Sequence, residues 1–297
     1  MGSKVVSLVE AVRPIKDGAT IAMAGFGIGS GPIALVHQLI RQRTKNLTVL
    51  GIIQGNDVDL LIGAGAVSRV DASGVTLEDF GLAQNFRRAA QNDEIVIREY
   101  SEASIYDRFL AASVGLTFWP TRGLFGNDIM KVNPDLSEVT CPFTGERYVA
   151  MPAASPEWTL LHAPFADENG NVYHPYRTDF AGFTEVILRA SKQVIVSVEQ
   201  IVDRTWAMSH HRDTLIAGWK TVAVVEVPFG SHPCGLGTLY SPDAEHFREY
   251  AQASRDRESF LNYLETYVYG VRDHWGYLER VGGMQRLMKL RSGSAGA

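Results

Sequence analysis

The sequence predicts an α/β fold: a largely parallel sheet with helices on both faces, followed by a helical C-terminal segment. Two observations carry this. From Thr20 to Val114, short apolar runs alternate with segments whose apolar residues recur at helical spacing, the pattern of βα crossovers. Farther on, Trp158–Ala163, Gln193–Glu199 and Thr221–Val227 are near-continuous apolar runs of the kind buried on both sides of a sheet.

The elements follow in order. Ser7 and Glu10 form a capping box ahead of a helix carrying Leu8, Val9 and Val12. Thr20–Ala24 is a wholly apolar strand, and five of the next seven residues are glycine or serine. Pro32 then opens a helix with Ile33, Leu35, Val36, Leu39 and Ile40 on one face. Leu47–Ile53 is the second strand, Gln54-Gly55-Asn56-Asp57 a turn, and Val58–Ile62 a short helix. Strands at Val67–Ala72 and Glu94–Glu99 flank a helix over Glu78–Gln91, and Ala103–Val114 is again helical. Pro120–Thr144 is rich in proline, asparagine and aspartate and reads as a long loop folded over a site. A strand at Arg147–Met151 precedes the three apolar runs, and Asp243–Arg291 is helical in three pieces. With no repeat and no low-complexity linker, one domain is expected over residues 1–291, with a disordered tail over 292–297.

The stretch Asp17–Pro32, DGATIAMAGFGIGSGP, organises the rest. A buried strand, a glycine turn and a helix start place unpaired backbone N–H groups at the carboxyl edge of a sheet, where phosphate or an oxyanion is held well. The same letters also suit a tight βα turn with no ligand. No G-x-x-x-x-G-K-[ST] occurs, and Pro32 sits inside the nominal G-x-G-x-x-A at Gly29–Ala34, which argues against a dinucleotide fingerprint. The candidate ligand-binding residues are Gly25, Phe26, Gly27, Gly29, Ser30 and Gly31. Gln54, Gly55 and Asn56, at the next strand end, can supply amide donors to a thioester oxygen.

Composition excludes several function classes. A net charge of −5 without a basic cluster gives no attraction to nucleic acid or an anionic membrane. Cys141 and Cys234 are too few for a disulfide framework, and there is no signal-peptide pattern or bilayer-length apolar run, so a cytoplasmic protein is expected. The eight histidines include the adjacent pair His210-His211 and no H-E-x-x-H, so no metal is expected. His232, between Ser231 and Pro233, either lines the cleft or bonds to backbone.

Asp17-Gly18, an apolar strand, Gly25-Phe26 and Pro32 resemble the N-terminal signature of the α subunits of family I coenzyme A transferases. Ala24 stands in place of the first glycine of G-G-F. Asn46–Val49, Leu61–Gly65, the Ala166–Asn171 stretch ADENGN and Pro228–Pro233 with Gly237 and Tyr240 continue the likeness in order, the last being similar to the glutaconate branch. The resemblance implies the fold of that family and coenzyme A carried in an acyl-CoA substrate. It also implies a partner, a β subunit of similar fold, in an α2β2 heterotetramer. The covalent glutamate would lie on the β subunit in an S-E-N-G-like turn. Glu168-Asn169-Gly170 copies three of those letters in an α-subunit frame, with Asp167 where serine would be, and reads as a turn.

Two residues are singled out for chemistry. Glu102 starts a helix at a strand end, where Ser101 and Glu102 suit capping and the helix dipole. A ring-opening hydrolase of bacterial steroid degradation with the same fold has a functional glutamate there, and Arg122 matches an arginine of that branch. Glu102 would then be a general base, and Arg122 either a clamp for a carboxylate or a CoA phosphate or a solvated loop charge. The expected function is CoA transfer between an acyl-CoA and a small or ring-derived acid. The alternatives are hydrolysis or decarboxylation of a CoA thioester, and a non-catalytic nucleotide-binding or regulatory protein.

Overall fold

A computed structural model describes residues 2–175 and 181–293. The chain enters through α1 (Leu8–Val12), where Ser7 Oγ accepts the Glu10 N–H and Glu10 Oε2 accepts the Ser7 N–H, the reciprocal box expected. Next come β1 (Thr20–Met23) and α2 (Ile33–Gln42). The single strand expected over Leu47–Ile53 is split into β2 (Leu47–Leu50) and β3 (Ile53–Gln54). They are followed by α3 (Asn56–Gly63), β4 (Val67–Ala72) and β5 (Gly74–Val75), and β5 pairs with β3 in a small parallel sheet of its own. The helix expected over Glu78–Gln91 is a 3-10 turn at Glu78–Phe80, then α4 (Gln84–Gln91). Gly81, at φ +107°, separates them. β6 (Val96–Glu99) and α5 (Glu102–Ser113) complete this part.

Pro120–Thr144 is not the irregular loop expected. It contributes to β7 (Phe118–Thr121), α6 (Ile129–Val132) and β8 (Ser137–Thr140), which with β9 (Arg147–Pro152) build a three-stranded antiparallel sheet, β9 in the middle. Pro120 sits on an edge strand, where a missing N–H costs no ladder bond.

The chain then runs through β10 (Trp158–Asp167), β11 (Val172–Tyr173), α7 (Ala181–Ala190), β12 (Gln193–Val202), α8 (Arg204–Ser209), β13 (Thr214–Ile216) and β14 (Thr221–Glu226). Among the described residues four α-helices rather than three close it: α9 (Ala244–Ala253), α10 (Arg257–Leu264), α11 (His274–Arg280) and α12 (Gly283–Gly293). Ser292 and Gly293, expected in the tail, belong to α12, and residues 294–297 of that tail lie outside the described residues.

Seven parallel strands form the main sheet in the order β14-β12-β10-β1-β2-β4-β6. Where β1 stops, the far half of β10 pairs instead with antiparallel β11, and β11 with β13. The alternation along β1 sorts the two cores. Ile21 and Met23 pack with α2, α3 and the C-terminal helices, whereas Ala22 and Ala24 face the side of α5 and α7. Both faces are therefore covered, and the glycine turn leaves the carboxyl end of β1.

Candidate active site

The glycine turn leaves β1 at Ala24, whose N–H donates to the Leu160 carbonyl at 2.9 Å. Phe26 and Gly29 exchange N–H···O bonds of 3.1 and 2.8 Å and close the turn around Gly27 and Ile28. Three external acceptors hold it: the Ile53 carbonyl takes the Gly27 N–H at 3.1 Å, Glu78 Oε1 the Ile28 N–H at 3.2 Å, and the Gly235 carbonyl the Ser30 N–H at 2.8 Å. This corrects the expectation of a row of unpaired amides. The N–H groups from Phe26 to Ser30 are all given away, because the turn folds on itself and three neighbouring segments reach in. Gly25, at φ +141°, has an N–H with no acceptor among the described residues, while the Gly31 N–H faces the Cys234 thiol.

Gln54, Gly55 and Asn56 lie directly behind this turn. Gln54 and Asn56 are 2% and 0% exposed, and neither Gln54 Nε2 nor Asn56 Nδ2 has a hydrogen-bond partner among the described residues. Asp57 caps the start of α3 by accepting the Gly55 and Val58 N–H groups at 3.1 and 2.8 Å. Burial pushes its carboxyl up to about 6 against those bonds. Cys234 is buried beside it, donates to Asn56 Oδ1 at 3.1 Å, and has its thiol pushed up by burial and then by the Asp57 charge.

A cavity of about 590 Å³ opens against the turn. Gly25, Phe26, Gly29 and Ser30 line it, with Glu78 on one side and His162 and Tyr240 at the back. The back wall is a closed polar network. His162 shares one proton with Ser197 Oγ at 2.8 Å and another with Glu199 Oε1 at 3.0 Å, and the Tyr240 hydroxyl donates to the same carboxylate oxygen at 3.0 Å. Arg291 meets the other oxygen at 3.2 Å. Burial raises the Glu199 carboxyl, but the bonds from His162 and Tyr240 and the Arg291 charge outweigh it, and the net shift is downward. Both His162 ring nitrogens and both Glu199 oxygens thus have a partner.

The other expected site residues lie apart. Gly27 and Gly31 belong to the turn but are not among the described lining residues. Glu102 is the first residue of α5, exposed, with Ser101 Oγ accepting the Ser104 N–H beside it. Tyr106, one turn on, meets Phe183 edge-on at 5.5 Å, and Phe183 stacks on Phe26 at 5.5 Å, so α5 reaches the glycine turn through two rings. Arg122 is exposed and pairs with Glu146 at 3.3 Å. Glu168-Asn169-Gly170 is a turn, as expected, its Gly170 N–H donating to the Asp167 carbonyl at 3.0 Å. His232 does not line the cleft: it is 1% exposed and bonded to Tyr277 and Asp243 side chains at 2.7 and 3.1 Å. Sequence reasoning missed Glu78 and His162 altogether. Tyr240 stood with Gly237 in the stretch similar to the glutaconate branch, yet nothing in its spacing pointed to the cavity.

Among the described residues no group of three or more His, Cys, Asp or Glu is placed to hold a metal, and no helix is long and apolar enough to cross a membrane. The model of the coenzyme A transferase family matches residues 5–218. The chain belongs to the coenzyme A transferase family. Among its relatives in this family, a subunit of the 3-oxoadipate CoA-transferase of Pseudomonas knackmussii is 34% identical over 275 residues, covering 91% of this chain and 95% of the relative. The crystal structure of glutaconate coenzyme A-transferase from Acidaminococcus fermentans superposes with a TM-score of 0.91 at 28% identity, over 97% of this chain and 96% of that one. An uncharacterized protein of Archaeoglobus fulgidus is 39% identical over 295 residues, and the chain spans 65% of its length. The family's fold therefore extends here beyond the matched segment to the C-terminal helices, whose Arg291 pairs with Glu199 behind the cavity wall.

Proposed function

We propose that the chain is the α-type subunit of a two-subunit enzyme that moves coenzyme A between an acyl-CoA and a small or ring-derived carboxylic acid. The observation that carries this is the end-to-end match to the glutaconate enzyme chain, 97% of one on 96% of the other. The acyl-CoA thioester would lie at the glycine turn, with the Gly25 N–H close to its oxygen and the buried amides of Gln54 and Asn56 behind the turn rather than in the cavity lining. Transfer needs a carboxylate that becomes the thioester itself. By the family resemblance that carboxylate belongs to a β subunit of similar fold, in an α2β2 assembly, so the active site is shared and this chain alone is incomplete.

The test is to purify the chain alone and with a co-expressed β subunit, supplying acetyl-CoA as donor and glutaconate or 3-oxoadipate as acceptor probes. The complex should transfer CoA and the single chain should not. Borohydride added after acyl-CoA should reduce a glutamyl thioester on the partner, leaving the mass of this chain unchanged. Robust transfer by this chain alone, or a reduced carboxylate within it, overturns the assignment.

A further inference from the structure

Glu78 stands out in the cavity wall. It is the only aspartate or glutamate among the described lining residues, and it sits at φ +50°, a left-handed conformation that a non-glycine residue adopts at a cost. The segment around it is built to hold that conformation. Thr76 and Leu82 pair across the segment, the Leu77 N–H donates to the Gly81 carbonyl at 3.0 Å, and the Glu78 N–H donates to Thr76 Oγ1 at 3.0 Å. Leu77 is fully buried, and Phe80 stacks on Phe247 of α9 at 4.8 Å. The outcome is a carboxylate delivered to a turn fifty residues earlier in the chain, at Ile28. Gly27 leaves it room, since a Cβ there would overlap the Glu78 carboxylate.

Of the three acceptors that hold the turn from outside, two are backbone carbonyls, of Ile53 and Gly235, and Glu78 is the one side chain. We propose that Glu78 is a positioning residue for the acyl-CoA reaction: its carboxylate fixes the tip of the glycine turn and so keeps Gly25, whose N–H has no acceptor among the described residues, in the cavity wall. This rests on the reading of the cavity as the acyl-CoA site. A preorganised donor is most valuable where charge develops during reaction, so loosening the turn weakens turnover more than binding.

The test uses the assembled complex with Glu78→Ala and Glu78→Gln. Glutamine keeps the length and an acceptor oxygen, and alanine removes both. Glu78→Ala should lower kcat by about 10–100-fold with KM for acyl-CoA within about threefold, the size expected when a reacting group is misplaced by an ångström or less. Glu78→Gln should restore kcat to within about threefold of wild type. Hydrogen exchange in the peptide spanning residues 24–34 should quicken in Glu78→Ala and remain slow in Glu78→Gln, whatever the activity. A Glu78→Ala complex with wild-type kcat and wild-type exchange overturns the inference and leaves the reading of the site standing. A folded wild-type complex that binds no CoA, probed with CoA itself by calorimetry, overturns that reading and this inference with it.

Discussion

Gly55 lies against Gly27 so closely that a Cβ on Gly55 would overlap the Gly27 carbonyl oxygen. The turn after β3 and the turn after β1 thus meet backbone to backbone, and the end of β3 supports the glycine turn. The obstacle is main chain, so no rotamer change relieves it.

Gly55→Ala should therefore push the two turns apart. The expected destabilisation is about 1–3 kcal/mol, the usual range for overpacking. Affinity of the assembled complex for CoA should fall with it. Thermal unfolding and calorimetric titration check both, and an alanine variant with unchanged melting temperature and affinity would show that the turns move independently.

The sequence revealed the parts of this arrangement that depend on local pattern. β4 follows from the apolar character of Val67, Val70 and Ala72 after a glycine turn, and α2 from Ile33, Leu35, Val36, Leu39 and Ile40, all buried in the structure. β7 and β8 were hidden because they are mostly exposed, held by antiparallel pairing with β9 rather than by an apolar face, and interspersed with Asn, Asp and Pro. Glu78 was hidden for a different reason. Its letters continue a helical pattern into Gln91, and neither its left-handed φ nor its contact with Ile28 leaves a periodic trace. His162 likewise sits in a run that signals only a buried strand, while its partners Ser197 and Glu199 lie on the adjacent strand.

Asp57 makes a prediction about pH. The folded carboxyl titrates at about 6 against an ordinary 3.8, because it is buried. Between those values the folded chain holds a proton that the unfolded chain lacks, so stability rises as pH falls through the window, and above about 6 the full cost of the buried charge is present. Asp57→Asn can keep the acceptor for the Gly55 and Val58 N–H groups while removing the charge. Relative to wild type, the variant should gain stability at pH 7.5 over pH 4, by up to about 3 kcal/mol for a two-unit shift. Asp243 works in the opposite sense: burial raises it, but His232 and Arg286 hold it far below its ordinary value, and its contribution is lost on acidification in both proteins. Urea unfolding of each at the two pH values gives the difference, and an equal pH dependence in wild type and variant would mean that Asp57 is not a buried charge.

Glu102 decides between two chemistries. It is exposed at the first position of α5, outside the described cavity lining, yet its helix reaches the glycine turn through Tyr106 and Phe183. If the covalent carboxylate is the partner's, transfer asks for no proton acceptor at Glu102. Glu102→Gln in the assembled complex should then transfer CoA within about threefold of wild type. Its stability should fall by about 1 kcal/mol or less, the contribution of an acid to a helix N-terminus. A general base would behave differently: the glutamine keeps the size and loses the proton acceptor, and turnover should drop by about 10²–10⁴-fold with the complex intact. The assay must follow both products, since a variant that transfers normally but no longer hydrolyses its acyl-CoA would place Glu102 in the hydrolytic route. A large loss of transfer itself would remove the partner's carboxylate as the sole reacting group and return hydrolysis or decarboxylation as the better account.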